Sequence, residues 1–134
     1  MNTVLFACVH NAGRSQMAAA WFNALADPAK AHAISAGTDP ASRVHPEVVA
    51  VMREAGLDLS AAPTTRLTSD IAAGTSMLIT MGCGAQCPVV PDVKRDDWPL
   101  EDPKGQSVEV VRAIRDDIRR RVQALIESQG WTSR

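Results

Sequence analysis

Apolar and polar positions change rhythm several times along the chain, and each change marks an element. Thr3-Val4-Leu5-Phe6-Ala7 is a short apolar run that reads as a buried strand. Gln16-Met17-Ala18-Ala19-Ala20-Trp21 is rich in helix formers, and Asp27-Pro28 breaks that helix. Residues 31–36 read as a second short strand, closed by Gly37. Val44-His45-Pro46-Glu47 opens a helix with proline in its first turn and an acid beside it. Val48, Met52 and Ala55 form the inner stripe of that helix, and Gly56 ends it. After a Pro- and Thr-rich connection over 61–68, residues 69–73 make a single helical turn. Residues 75–81 form a short apolar strand, and another strand is expected near Val93. Finally Val108, Val111, Ile114, Ile118, Leu125 and Ile126 recur at helical spacing, with Gly130 as the stop.

Strands alternating with helices imply parallel βαβ units. The expected fold is α/β, a doubly wound parallel four-stranded sheet with helices on both faces. The 134 residues suffice for one domain, 1–134, with a single core that needs neither disulfide nor metal. In such sheets ligands bind at the carboxyl ends of strands. Cys8 stands just past the first strand and Cys83 just past the one ending at Met81.

Charge and composition narrow the partners. With 46% apolar residues and a formal charge of −1, nothing favours nucleic acid or an anionic membrane surface. No apolar run has the length of a spanning helix, and the opening Met-Asn-Thr-Val lacks the pattern of a signal peptide. An odd count of three cysteines then points to a cytoplasmic, reducing setting, where cysteines serve catalysis or redox chemistry.

The candidate chemistry begins at Cys8-Val9-His10-Asn11-Ala12-Gly13-Arg14-Ser15. Read as strand, tight loop and helix start, it puts a cysteine at a helix N-terminus. Val9, His10, Asn11, Ala12, Gly13, Arg14 and Ser15 would ring the sulfur with backbone amides and a guanidinium, a setting that holds a tetrahedral oxyanion. The same field favours thiolate over thiol and suits Cys8 to nucleophilic attack. Gly13 permits the tight turn, Asn11 can brace the loop, and Ser15 is both a possible N-cap and a donor to sulfur. The alternative is a small buried cysteine that merely ends a strand.

Cys83 and Cys87 lie in a loop over 82–91 rich in glycine and proline. On a helical turn, residues four apart have Cα atoms roughly 6 Å apart, within disulfide range. Two other readings stay open. One is half of a zinc site, although His10, His32 and His45 lack ligand-type spacing; the other is a pair of inert thiols. His32 reads as a surface residue, His45 as a helix-boundary residue, and Arg119-Arg120-Arg121 as a solvated face. Asp102, before Pro103, is either a turn former or a general acid, and Trp98 either walls the site or packs.

The stretch from Cys8 to Ser15, combined with Asp102-Pro103, resembles the low-molecular-weight protein tyrosine phosphatase superfamily. Cys83, Cys87 and Asp97-Trp98-Pro99-Leu100-Glu101-Asp102-Pro103 are similar to its arsenate reductase branch. That resemblance implies neighbouring first and third strands, with Cys8 and Cys83 at one sheet edge. It implies that Cys8 attacks arsenate, that Asp102 protonates the leaving hydroxide, and that Cys83 and then Cys87 carry a disulfide outward. Catalytic residues would then be Cys8, Arg14, Cys83, Cys87 and Asp102, with no bound cofactor and no metal. Phosphate or sulfate would compete with arsenate. The external reductant would be thioredoxin, or mycothiol or glutathione with a mycoredoxin- or glutaredoxin-like protein.

The chain departs from the family in several places. It has no tyrosine to grip an aromatic phosphate, and Asp102-Pro103 continues as Lys104-Gly105-Gln106. Only Gly84-Ala85-Gln86 separates the two distal cysteines, and Met81 stands where thioredoxin-coupled enzymes usually carry the first of them. Ala19 replaces the acid with which some members bind potassium. Besides arsenate reduction, a phosphomonoesterase and a non-enzymatic oxyanion or redox sensor therefore stay in view.

Overall fold

The computed structural model describes residues 2–82 and 93–132. Its elements follow in the order β1 (Asn2–Cys8), α1 (Arg14–Leu25), β2 (Ala31–Gly37), α2 (Pro46–Glu54), α3 (Ser69–Ala73), β3 (Met77–Thr80), β4 (Lys94–Asp97) and α4 (Val108–Gln129). The four strands form one sheet in the order β2-β1-β3-β4, and every pairing is parallel. This is the doubly wound arrangement that the alternation of elements predicts.

Side-chain alternation along β1 divides the interior in two. Val4, Phe6 and Cys8 face a large cluster built from α1, α2 and α4, including Met17, Phe22, Val48, Met52, Ile114 and Ile118. Leu5 and Ala7 face a small cluster with Ala36, Ala72 and Leu78, covered by α3. A period of two in the strand thus meets helices on both faces. Aromatic rings knit the larger side: Phe6 meets Phe22 edge-on at 6.1 Å and Trp98 at 5.6 Å, and Phe22 meets Trp131 at 5.8 Å.

The last helix begins where Ser107 accepts a hydrogen bond from the Val110 amide and ends at Gly130 in the left-handed region, φ 74°. Its buried stripe is Val111, Ile114, Ile118, Val122 and Ile126. Val122 therefore takes an inner place, while Leu125 is half-buried and Val108 lies exposed at the first turn. Glu54 at the end of α2 meets Arg112 at 2.6 Å and Arg115 at 2.9 Å, joining the two helices at the surface. Arg119 is not purely solvated, since its guanidinium lies 5.1 Å from the Trp21 ring.

One element differs from its sequence expectation, and the strand expected near Val93 is present. The helix after the first strand starts at Arg14 with Gly13 in the N-cap place, so Ser15 is inside the first turn and its hydroxyl is used elsewhere. The fourth strand begins one residue after Val93, and all four of its residues, Lys94-Arg95-Asp96-Asp97, are exposed on the sheet edge. A charged edge strand of this kind discourages pairing with other chains. No described helix is long and apolar enough to cross a membrane.

Candidate active site

The loop after β1 is half-buried at Val9 and His10 and buried from Asn11 on, and its backbone is held from outside. The carbonyls of Cys8, Val9, His10 and Ala12 accept from the amides of Thr38, Asp39, Ala41 and His45, at 3.2, 2.7, 2.9 and 2.9 Å. All four donors belong to the connection between β2 and α2. Gly13 accepts from Met17 N at 3.0 Å within the helix, and Asn11 accepts from the Gln16 side chain at 3.0 Å. Every carbonyl from residue 8 to 13 is therefore engaged. By contrast, among the described residues no protein acceptor meets the amides of His10, Asn11, Ala12 and Gly13. Buried amides are rarely left so, and a run of them at a helix N-terminus is an anion cradle.

Close approach explains one glycine here. A Cβ on Gly37 would stand 2.6 Å from the Val9 carbonyl oxygen and 2.8 Å from the Asn11 nitrogen, so only glycine lets β2 lie against the loop.

The cysteine sulfur has a defined partner. Cys8 Sγ lies 2.9 Å from Ser15 Oγ, and the Asn11 side-chain amide donates to that same hydroxyl at 2.8 Å. Because Ser15 accepts from Asn11, its single hydrogen is free to point at sulfur. Asn11 is itself fixed from the other side, its Oδ1 accepting from the Thr65 amide at 2.8 Å. It is fully buried and sits in the left-handed region, φ 49°, a conformation that asparagine tolerates better than most residues. The bracing expected of Asn11 and the hydroxyl–sulfur contact expected of Ser15 are both present.

Arg14 joins this loop to the acid-bearing one. Its Nη1 donates to the Leu100 carbonyl at 3.0 Å, and its Nη2 lies 3.9 Å from Asp102 Oδ2. The guanidinium is buried, with 9% of its side chain exposed against 48% for Asp102. Gly82, φ 97°, lies against it so closely that a Cβ there would run into Arg14 Nη1. Pro103 packs against Gly13, where a Cβ would stand 2.8 Å from its Cγ. The structure thus brings Cys8, Arg14, Ser15 and Asp102 to one sheet edge. Cys83 and Cys87 lie outside the described residues.

The remaining candidates have plainer places. His10 Nδ1 faces the Asp39 carbonyl oxygen at 3.0 Å and so carries the hydrogen there. His45 holds the N-cap position of α2 without a side-chain cap bond, and its ring leans toward Gly13. Burial lowers the pKa of its imidazole from 6.5; Glu47 and Asp102 push back upward, and Lys104 and His10 push down. Trp98 packs rather than walls the site: it is buried against Phe6, and its Nε1 donates to Asp96 Oδ2 at 3.3 Å. Among the described residues no group of three His, Cys, Asp or Glu side chains converges as a metal site.

Sequence reasoning passed over the outer wall, namely Gln16, Gly37, residues 38–45, Pro63 and Thr65. Only Gln16 carried a signal, as a lone amide side chain at the helix start, next to an apolar run.

A parallel sheet, a cysteine at its carboxyl edge and a run of amides with no acceptor among the described residues, leading into a helix, form the framework of a phosphatase-type loop. The chain belongs to the family described as low molecular weight phosphotyrosine protein phosphatase, whose model matches residues 3–130. It is 38% identical over 129 residues to the glutaredoxin arsenate reductase of Synechocystis sp., covering 94% of this chain and 97% of that protein. Against arsenate reductase 1 of Bacillus cereus the identity is 34% over 131 residues, covering 94% and 95%. Among solved structures, the thioredoxin-dependent arsenate reductase of Corynebacterium glutamicum superposes with a TM-score of 0.82 at 38% identity, over 96% of this chain. The present chain spans 61% of the length of that protein.

Proposed function

We propose that the protein reduces arsenate to arsenite. The observation that carries this reading is the buried ring of unpaired amides around Cys8 in a chain similar to arsenate reductases over nearly its whole length. The cradle selects a tetrahedral oxyanion, and the Cys8 thiolate attacks arsenic, forming an S–As bond. Hydroxide leaves as water after taking a proton from Asp102. Arg14 neutralises charge on the oxyanion, with one guanidinium hydrogen held by Leu100. Cys83 then attacks Cys8 Sγ: an S–S bond forms, the S–As bond breaks, and its electron pair leaves with arsenic as arsenite. Cys87 displaces Cys8 from Cys83, and an external dithiol reduces the resulting disulfide. What supports the relay is that Gly82, bonded directly to Cys83, lies against Arg14.

Thioredoxin is the first candidate reductant, followed by mycothiol or glutathione with a mycoredoxin- or glutaredoxin-like protein. The setting proposed is the cytoplasm, where phosphate and sulfate would compete for the cradle. The direct test is NADPH oxidation coupled through each thiol system with arsenate. Steady turnover is expected, and its absence in every system overturns the reading. The family match and the cradle also favour a second reading, phosphomonoester hydrolysis through a phospho-cysteine. Brisk aryl-phosphate hydrolysis that survives Cys83→Ser and Cys87→Ser, without arsenate turnover, would select it. The absence of tyrosine argues against an aromatic substrate slot.

A further inference from the structure

We infer that Gln16, which touches neither sulfur nor acid, is the positioning residue that aims the Ala12 amide at the oxyanion by fixing the Asn11–Ala12 peptide. The inference rests on the oxyanion site proposed above and goes beyond it.

Of the six loop carbonyls from residue 8 to 13, five are held by backbone amides. The Asn11 carbonyl alone is held by a side chain, the Gln16 amide at 3.0 Å. That peptide is also where the loop turns through the left-handed region, at Asn11. A peptide unit can rotate about its two flanking bonds while the chain on either side stays in place. Such a rotation between Asn11 and Ala12 would replace an inward N–H by an inward carbonyl, turning attraction for an anion into repulsion.

The surroundings leave no doubt which end of the Gln16 amide faces the loop. Its nitrogen has three oxygen neighbours: the Asn11 carbonyl at 3.0 Å, Asn11 Oδ1 at 3.3 Å and the Pro63 carbonyl at 2.8 Å. Asn11 Oδ1 is identified as oxygen because the Thr65 amide donates to it. One Gln16 hydrogen goes to Pro63, and the other is shared by the two oxygens of Asn11.

Residue choice reinforces this. Counting from the N-cap at Gly13, Gln16 is the third helical residue, a place where glutamate suits both the helix dipole and the usual capping pattern. Glutamate would bring an acceptor against three acceptors, whereas glutamine brings two donors. The residue is 5% exposed, so water does not substitute for it. Through Pro63 it also ties the loop to the long connection between α2 and α3.

The test measures sulfate binding, read as protection of Cys8 from iodoacetamide and followed by peptide mass spectrometry. Sulfate stays a dianion across the working pH range, and the readout needs no turnover, so it stands even if the protein reduces no arsenate. Gln16→Met keeps the length and removes the donors. Sulfate protection should weaken about tenfold, as for loss of a buried hydrogen bond, while unprotected Cys8 alkylation stays within about threefold. With arsenate as substrate the loss should appear in KM before kcat. Gln16→Glu should bind sulfate still more weakly at pH 8 and recover toward wild type near pH 5, where a protonated carboxyl regains one donor. A merely space-filling role gives no such recovery. Wild-type sulfate protection in a folded Gln16→Met protein overturns the inference; should that variant not fold, a flat pH profile for Gln16→Glu overturns it equally.

Discussion

The loop from Cys8 to Ser15 is mostly buried and held at every carbonyl from residue 8 to 13, whereas the stretch from Trp98 to Gln106 is largely exposed and hangs from few bonds. Trp98 anchors one end of that stretch in the core, Pro103 rests on Gly13, and Leu100 takes one hydrogen bond from Arg14. Between these points Asp102 is half exposed, its Oδ1 accepting from the Lys104 amide at 3.0 Å. The difference matches the two tasks proposed for these regions. An oxyanion must find its donors already aimed, because aligning dipoles during the reaction costs the energy that catalysis needs. A proton donor needs only to come within reach, and exposure lets it regain its proton from water.

Arg14 belongs to both regions, so its loss should have the largest effect. Arg14→Lys keeps a positive charge but cannot hold the Leu100 carbonyl and a planar pair of oxyanion contacts together. A fall of about 10²- to 10³-fold in kcat/KM for arsenate is expected, comparable to removing an oxyanion donor. A change below threefold in a steady-state assay would mean that the cradle works without it.

Asp102→Asn separates the two regions. Proton transfer by a placed side chain contributes roughly 10²- to 10⁴-fold, so kcat should fall by at least about 10². Sulfate protection of Cys8 should stay near wild type, because the carboxylate is 3.9 Å from Arg14 and half in solvent. Loss of sulfate binding to the same degree as kcat would show that the acid loop is part of the cradle, and the contrast would fail.

How far the sequence reveals these regions follows from what each depends on. The strand before Cys8, the buried strand before Gly82 and the long final helix are legible, since periodicity and local caps decide them. The Asn11 brace and the Ser15 contact with sulfur are legible too, because both lie within the one stretch from Cys8 to Ser15. The outer wall is not. Thr38, Asp39, Ala41 and His45 act through backbone amides, which carry no trace in residue type, and only the crossover topology puts them there. The same holds for Thr65 and Pro63. The helix start is misplaced at Ser15 for a related reason: its hydroxyl oxygen accepts from the Asn11 side chain and its hydrogen faces sulfur, so it caps no backbone amide.

The smallest effect concerns His45, which stands where the two regions touch, its ring near Gly13 and within the fields of Asp102, Lys104, His10 and Glu47. Burial is the leading cause of its lowered pKa, so the folded protein prefers the neutral ring. Above about pH 6.5, the ordinary value, the ring is neutral folded or unfolded, and it adds no pH dependence. As pH falls below that point the unfolded chain takes up the proton first, and stability declines until the folded ring protonates as well. A single proton limits the slope to about 1.4 kcal/mol per pH unit, and partial exposure of the ring keeps the effect well under that bound. His45→Asn puts a favourable N-cap residue at the start of α2 and should flatten the acid side of a urea-denaturation profile taken from pH 7.5 to 5. If the variant and wild-type curves stay parallel over that range, the ring is not confined between Gly13 and the acid loop. The two regions would then meet only through Arg14 and Pro103.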